Sequence, residues 1–405
     1  MRERLRTLNP PQSKNGQSTS SIVSHHVERQ SRYNSDTHPV ALDIFFDKPM
    51  KTPKPFLRTV LSSSNRRFWL KKFGLAALLP FASGRSYGSA PKAPDGDGFT
   101  LVILPDTQMY AWKDPSIYRA QTQWIADNII EHKIPMVLHV GDVTQHNNAE
   151  QWQAARVAHD LIAEKVPCLL LPGNHDLGPE GNASTRQTLM SEYFPPKDFE
   201  RWSTFGGFYD REPKRTENSF HTLEAGGRKW LVLALEFAPR DDVLRWAGEV
   251  VKKHPDRSVI LVTHAYLRTD NTRFDRHATF TTKGKESNKG LDNFKLSAFP
   301  EGFNDGEDLW KKLVSQHPNF VLVISGHVCV TGRRIDTGKH GNTVHQMVVD
   351  YQNQENGGNG FLRLLQFPPE GKTIRVIDYS PYLDQNSPIK NTDFEIDLPP
   401  QPRLV

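Results

Sequence analysis

The chain has 405 residues, long enough to bury a sizeable core, and its formal charge is +5. That charge misleads, because 16 of the 51 Lys and Arg but only 5 of the 46 Asp and Glu lie between Met1 and Ala93, leaving 41 acidic against 35 basic residues beyond. A mildly acidic body argues against a nucleic-acid groove built on phosphate neutralisation, two cysteines allow one bridge but imply no disulfide framework, and no apolar run is long enough for a transmembrane span.

Residues 1–49 are rich in Ser, Asn, Gln and His without periodicity, which predicts disorder. A true start at Met50 would make them an over-extended gene start. From Met50 to Ala93 there are nine basic residues and no acidic one. Within that stretch "NRRFWLKKFGLAALLP" resembles a bacterial twin-arginine signal, with Asn65 and Trp69 where the commonest pattern has Ser or Thr and Phe. The other reading is a short amphipathic helix with a basic face. The signal reading makes 50–93 a targeting segment and 94–400 the functional domain. It implies export to the periplasm or outside the cell by the twin-arginine machinery.

From Phe99 onward, apolar runs alternate with segments of helical period. "TLVIL", "MVLHV", "PCLLL", "KWLVLALE", "SVILVTH" and "FVLVIS" read as strands buried on both faces. Between them, Ile117 to His132 and Glu150 to Lys165 read as helices, as do the segments carrying Val243, Ala247 and Val250 and carrying Leu309 and Leu313. The polar region from Thr269 to Asn304 reads as a loop over the rim of a site, with Asn218, Tyr266 and Arg268 as further rim candidates. After Cys329 the pattern turns to "TVHQMVVD", "GFLRLLQF" and "KTIRVIDYS", read as a second sheet packed on the first.

Five of these runs stop on polar groups: Asp106; Gly141 and Asp142; Gly173, Asn174, His175 and Asp176; His264; Gly326 and His327. A single Gly-Asp after a strand reads as a turn and helix cap, and a single Thr-His as structure. Three carboxylates, an amide and three imidazoles at five of the six strand ends converge on one crevice if those ends share an edge.

The ordered series resembles the calcineurin-like metallophosphoesterase superfamily, whose motifs are Asp-x-His, Gly-Asp, Gly-Asn-His-Asp/Glu, a lone His and Gly-His-x-His. The likeness covers roughly Phe99 to Ser380, and the Asp-Thr-Gln form at Asp106 is similar to that of an exported bacterial subgroup. The resemblance implies an α/β fold, a four-layer α/β/β/α sandwich. It also implies hydrolysis of a small phosphoester, mono or di, by a metal-activated water held by two divalent ions: Mn, Zn, Fe or Mg. It places Asp142 as the bridge and Asn174, His264 and His327 at the second ion. His175 becomes the leaving-group acid or transition-state stabiliser, with Asp176 orienting it.

At the first ion the family pattern is broken. Its positions hold Asp106, Gln108, Asp142 and Cys329, an amide and a thiol where imidazoles are the rule. Gln108 stands as a carbonyl-oxygen ligand or as a partner of metal-bound water. Cys329 stands as a ligand or as packing, and His146 and His345 are candidates for the missing nitrogen. Three readings remain: a two-metal phosphoesterase, a single-metal form, and a non-catalytic protein that binds a phosphorylated ligand.

Overall fold

The structure is a computed structural model, and it describes residues 90–401 other than 283, 284, 292, 293, 295, 297 and 298. The segment 1–49 and all of the twin-arginine-like segment up to residue 89 lie outside the described residues. The strands in chain order are β1 (Phe99–Leu104), β2 (Val137–His139), β3 (Cys168–Leu169), β4 (Phe205–Phe208), β5 (Ser219–Ala225), β6 (Arg228–Leu235), β7 (Ser258–Thr263) and β8 (Asp275–Thr282). They continue with β9 (Lys285–Lys289), β10 (Phe320–Ser325), β11 (Thr331–Thr337), β12 (Thr343–Val349), β13 (Leu362–Phe367), β14 (Thr373–Ser380), β15 (Gln385–Asn386) and β16 (Asp393–Asp397). One sheet runs β15-β14-β13-β1-β2-β3, with β16 also on β14; the other runs β11-β12-β10-β7-β6-β5-β4.

Burial by alternate residues shows how the layers stack. Along β1, Phe99, Leu101 and Ile103 face a core shared with Val232 and Ala234 of β6, Ile260 and Val262 of β7, and Leu322 and Ile324 of β10. Val102 and Leu104 face the other way, onto helices α1 (Gln108–Lys113), α2 (Pro115–Asn128) and α3 (Ala149–His159) through Tyr110, Ile117, Ile125, Trp152 and Ala155. Two short helices, α4 (Met190–Tyr193) and α5 (Pro196–Glu200), extend that layer. On the second sheet Leu231, Leu233, Val259 and Leu261 turn outward onto α6 (Asp241–Lys253) and α7 (Gly306–Lys312) through Val243, Ala247, Val250 and Leu309. The order is therefore α/β/β/α, and strands buried on both faces explain the unbroken apolar runs.

Helix starts follow their caps. Asp114 accepts the Ser116 amide at 3.1 Å with Pro115 at the first position of α2, and Asn148 accepts the Gln151 amide at 3.0 Å to open α3. In α6 Asp241 and Asp242 sit in the first turn and Lys252 and Lys253 in the last, which complements the helix dipole.

Two expectations need correction. The strands after Cys329 do not form a separate second sheet: β11 and β12 extend the sheet of β6, β7 and β10, while β13, β14 and β16 join β1. The reason is pairing. Strand β1 has a parallel partner in β2 on one side and an open edge on the other, which β13 fills antiparallel, with Leu101 opposite Leu365. The region 269–304 is also not a bare loop, because it holds the antiparallel hairpin β8–β9.

Candidate metal centre

Parallel pairing sets the site. Leu104 lies opposite His139, Leu138 opposite Leu169, Leu235 opposite Thr263, and Ile324 opposite both Val262 and Met347, so β1, β2 and β3 end together, and so do β6, β7, β10 and β12. Among the described residues, one group of three His, Cys, Asp or Glu side chains has ligand atoms within 4.8 Å of one another: Asp142, His264 and His327.

His264 is the hub and is fully buried. Its Nδ1–H donates to the Val140 carbonyl at 3.0 Å, since a carbonyl only accepts. Its Nε2 therefore faces Asn174 Oδ1 at 3.1 Å, His327 Nδ1 at 3.2 Å and Asp142 Oδ1 at 3.3 Å. Four donor atoms around one point, with the far imidazole nitrogen fixed by a backbone carbonyl, are what a divalent cation requires. Burial works against a proton on His264, but the Asp142 carboxylate outweighs it and holds the imidazole above its usual range. Burial and the neighbouring His264 push His327 down to about 3, so it presents a lone pair at neutral pH. Burial would raise Asp142, yet His264 and His175 prevail and keep it ionised.

Backbone strain marks the same spot. Asp142, His327 and Cys329 have φ of 51°, 82° and 56°, in the left-handed region that side chains rarely adopt. Two glycines make the close approach. A Cβ on Gly173 would stand 2.1 Å from Asp142 Oδ1, and one on Gly326 would stand 2.0 Å from Asp106 Oδ1.

The residues fit metal ions on a further count. Asp142 Oδ2 and Gln108 Oε1 are buried oxygen atoms with no hydrogen-bond partner, although both side chains are about nine-tenths or more buried. Gln108 opens α1 two residues after Asp106. Asp106 accepts the His327 amide at 3.0 Å, and burial, then Asp350 and Asp142, push its pKa well up.

His175 is half-buried beside this cluster. Its amide donates to Asp142 Oδ1 at 2.9 Å, and its Nδ1–H donates to the Gln145 carbonyl at 3.0 Å, which puts the neutral ring's lone pair on Nε2. Asp176 does not orient it. That carboxylate accepts the amides of Gly173 at 2.9 Å, Val143 at 2.9 Å and Thr144 at 2.7 Å, and the Thr144 hydroxyl at 2.8 Å. It ties the Gly-Asp turn to the Gly-Asn-His-Asp turn, because four converging donors satisfy a buried carboxylate better than one imidazole. Gln145 is the orienting residue, and nothing in its spacing marked it.

Other candidates fall away. His345 pairs with Leu322 at the start of β10, the opposite end from the site, and contacts the Asp397 carbonyl at 2.7 Å. The ring of His146 lies edge-on to Trp112 at 4.9 Å. The Cys329 thiol is half-buried and accepts from Gln352 Nε2 at 3.2 Å, and burial, then the Asp350 charge, push it up. Of the rim candidates, Asn218 is buried and bonds Glu236 at 3.1 Å, and Tyr266 is buried under α7. The region 269–304 does reach the site: the rings of Phe274 and Phe294 lie 5.5 and 5.7 Å from that of His327.

The chain is 30% identical over 325 residues to the uncharacterized protein YvnB of Bacillus subtilis (strain 168), a match that takes in 77% of this chain and 22% of that protein. The chain thus spans about a fifth of the length of that relative. Similar solved structures include a dimetal phosphatase from Danio rerio, with TM-score 0.43 and 10% identity over 74% of this chain and 98% of that one. A purple acid phosphatase from yellow lupin (Lupinus luteus) seeds gives TM-score 0.43 and 13% identity over 76% of this chain and 55% of that one. The model of the calcineurin-like phosphoesterase family matches residues 99–331, more than half of the chain and every strand end described above except that of β12, and the chain belongs to that family of metallophosphoesterases.

Proposed function

We propose that this chain hydrolyses a small phosphoester at a centre of two divalent ions. The observation that carries this is the meeting of Asn174, His264, His327 and Asp142 around His264 Nε2. When bound, such ions neutralise phosphoryl oxygens and lower the pKa of water, so the protein itself need only position and protonate. Asp142 has one oxygen committed to the His264 side and one unpartnered, the arrangement of a bridging ligand. His175, fixed through Nδ1, has Nε2 free to give a proton to the leaving alkoxide or to hold a phosphoryl oxygen.

The test is elemental analysis of purified protein together with a panel of small phosphoesters assayed with Mn, Zn, Fe and Mg. Two ions per chain and turnover of at least one ester are expected. One ion under excess metal would remove the two-ion reading, and stoichiometric binding of an ester without turnover would make the protein a binder. His175→Ala should lower kcat by about 10²-fold to 10⁴-fold with both ions still bound. Loss of an ion in that variant would overturn its role as proton donor.

We infer export through the twin-arginine route from the paired arginines Arg66 and Arg67 and the acid-free stretch around them. Changing both to Lys should retain the protein in the cytoplasm of a bacterial host, as read by cell fractionation. Continued export of that variant would end the proposal.

A further inference from the structure

Strand β12 was not among the runs that pointed to the site, yet it ends beside it. Val349 is its last residue, and Asp350 follows with about 1% exposure, the same as Asp106 and Asp142. The turn after β10 holds two of these carboxylates through alternate amides. His327 N–H donates to Asp106 at 3.0 Å, and Cys329 N–H donates to Asp350 at 2.6 Å. Amides two residues apart in this turn thus hold both carboxylates, and the charge of Asp350 bears on Asp106. The other donors to Asp350 are Gln352 N–H at 2.9 Å and Gln352 Nε2 at 3.1 Å, so three contacts occupy a group with room for about four.

Among the described residues neither Asp106 nor Asp350 has an ion pair with Lys or Arg, and the charges of Asp350 and Asp142 act against that of Asp106. Two buried carboxylates without a cationic partner, with the charge of Asp142 acting on both, are costly. Two further atoms independently ask for one: Asp142 Oδ2 and Gln108 Oε1, both buried and unpartnered.

We propose that Asp350 is a metal ligand, and that Asp106, Asp142, Asp350 and the Gln108 amide oxygen bind a hard divalent cation, Mg or Mn, in an all-oxygen site. The centre is then asymmetric. The ion at His264 and His327 has nitrogen ligands and suits Zn, Fe or Mn, whereas its neighbour has none and disfavours Zn. Cys329 contributes its backbone N–H, which positions Asp350, and its thiol turns to Gln352. This assignment rests on the two-ion reading above.

The test uses the full chain stripped of metal and titrated with Mn, Mg and Zn alone, followed by calorimetry, elemental analysis and electron paramagnetic resonance of bound Mn. Wild type is expected to bind two Mn with a spin-coupled spectrum, and to accept Mg in preference to Zn at the weaker site. Asp350→Asn keeps the shape and most of the hydrogen bonds but removes the charge. It should weaken one ion by at least about tenfold and abolish the coupling, while the tighter ion binds as before and shows that the variant is folded. Cys329→Ser should bind both ions like wild type. Should Asp350→Asn not fold, the wild-type competition between Mg and Zn decides, because equal or greater preference for Zn at both sites overturns the all-oxygen assignment. Wild type that binds one ion in all conditions defeats the two-ion reading itself. Wild type that binds two, with Asp350→Asn unchanged or Cys329→Ser losing an ion, overturns Asp350 alone.

Discussion

Replacing Asp142 by alanine should lower phosphoester hydrolysis by about 10³-fold or more and leave the chain unable to hold two ions together. The size follows from what the ions supply, several kcal/mol of charge stabilisation in the transition state, with each 1.4 kcal/mol or so worth a factor of ten. Asp142 bears on both sides of the site. It lies 3.3 Å from His264 Nε2 on one side, and its charge acts on Asp106 and Asp350 on the other. Asp142→Asn separates catalysis from folding, because asparagine tolerates the left-handed φ of 51° and keeps an oxygen for the His175 amide. In melting experiments on metal-free protein this variant should melt somewhat below wild type, since His264 and His175 hold the Asp142 carboxylate ionised and asparagine gives up that attraction. Added Mn should then raise its melting temperature far less than that of wild type. An Asp142→Asn protein whose melting temperature rises with Mn as much as that of wild type would instead make Asp142 a structural residue.

How much of this was legible in the sequence depended on whether a residue acts through its own strand or through another. Strands β1, β7 and β10 are buried on both faces, so their continuous apolarity and the polar residue that ends each stood out. The layers and the grouping of Asp142, Asn174, His264 and His327 came from the family resemblance that those strand ends carry. Partners supplied by neighbouring turns did not. Gln145 orients His175 with a backbone carbonyl, which any residue type offers, so its identity carries no signal. Asp176 looked like the partner of His175 because it is adjacent in sequence, but its carboxylate points back to Gly173, Val143 and Thr144.

Asp350 was missed for a different reason. The run "TVHQMVVD" ends on a carboxylate just as "TLVILP" does before Asp106, and the same rule applied to it would have put Asp350 at the site edge. Assigning everything after Cys329 to a separate sheet removed β12 from consideration. Its parallel partner is β10, with Ser325 opposite Val348, and no local pattern states which strand a later one will join.

Asp378→Ala should be the most destabilising single change at a distance from the metal ligands. Arg363 on β13 is fully buried, and Asp378 on β14 accepts from its Nε at 2.6 Å and from a terminal nitrogen at 2.8 Å, a two-point grip on the guanidinium. Removing the carboxylate leaves a buried cation with the Asn391 carbonyl, the Met347 sulfur and the face of the Phe394 ring in place of an anion. Breaking one side of such a pair costs about 3 to 5 kcal/mol. In a domain of this size that corresponds to a fall in melting temperature of roughly 6 to 15 °C. Replacing both partners by apolar residues, Arg363→Met with Asp378→Leu, should recover most of that loss, because the pair's attraction is largely offset by its desolvation. Metal binding should not recover with it. The Tyr351 hydroxyl also donates to Asp378, and Tyr351 directly follows Asp350, so loss of that acceptor leaves the longer contact to Ser387 Oγ at 3.4 Å and loosens the segment that carries the proposed ligand. A double variant as stable as wild type but weaker for one ion, by about tenfold, would show the buried pair acting on the centre through Tyr351. Equal stability with unchanged binding of both ions would confine the pair to the fold.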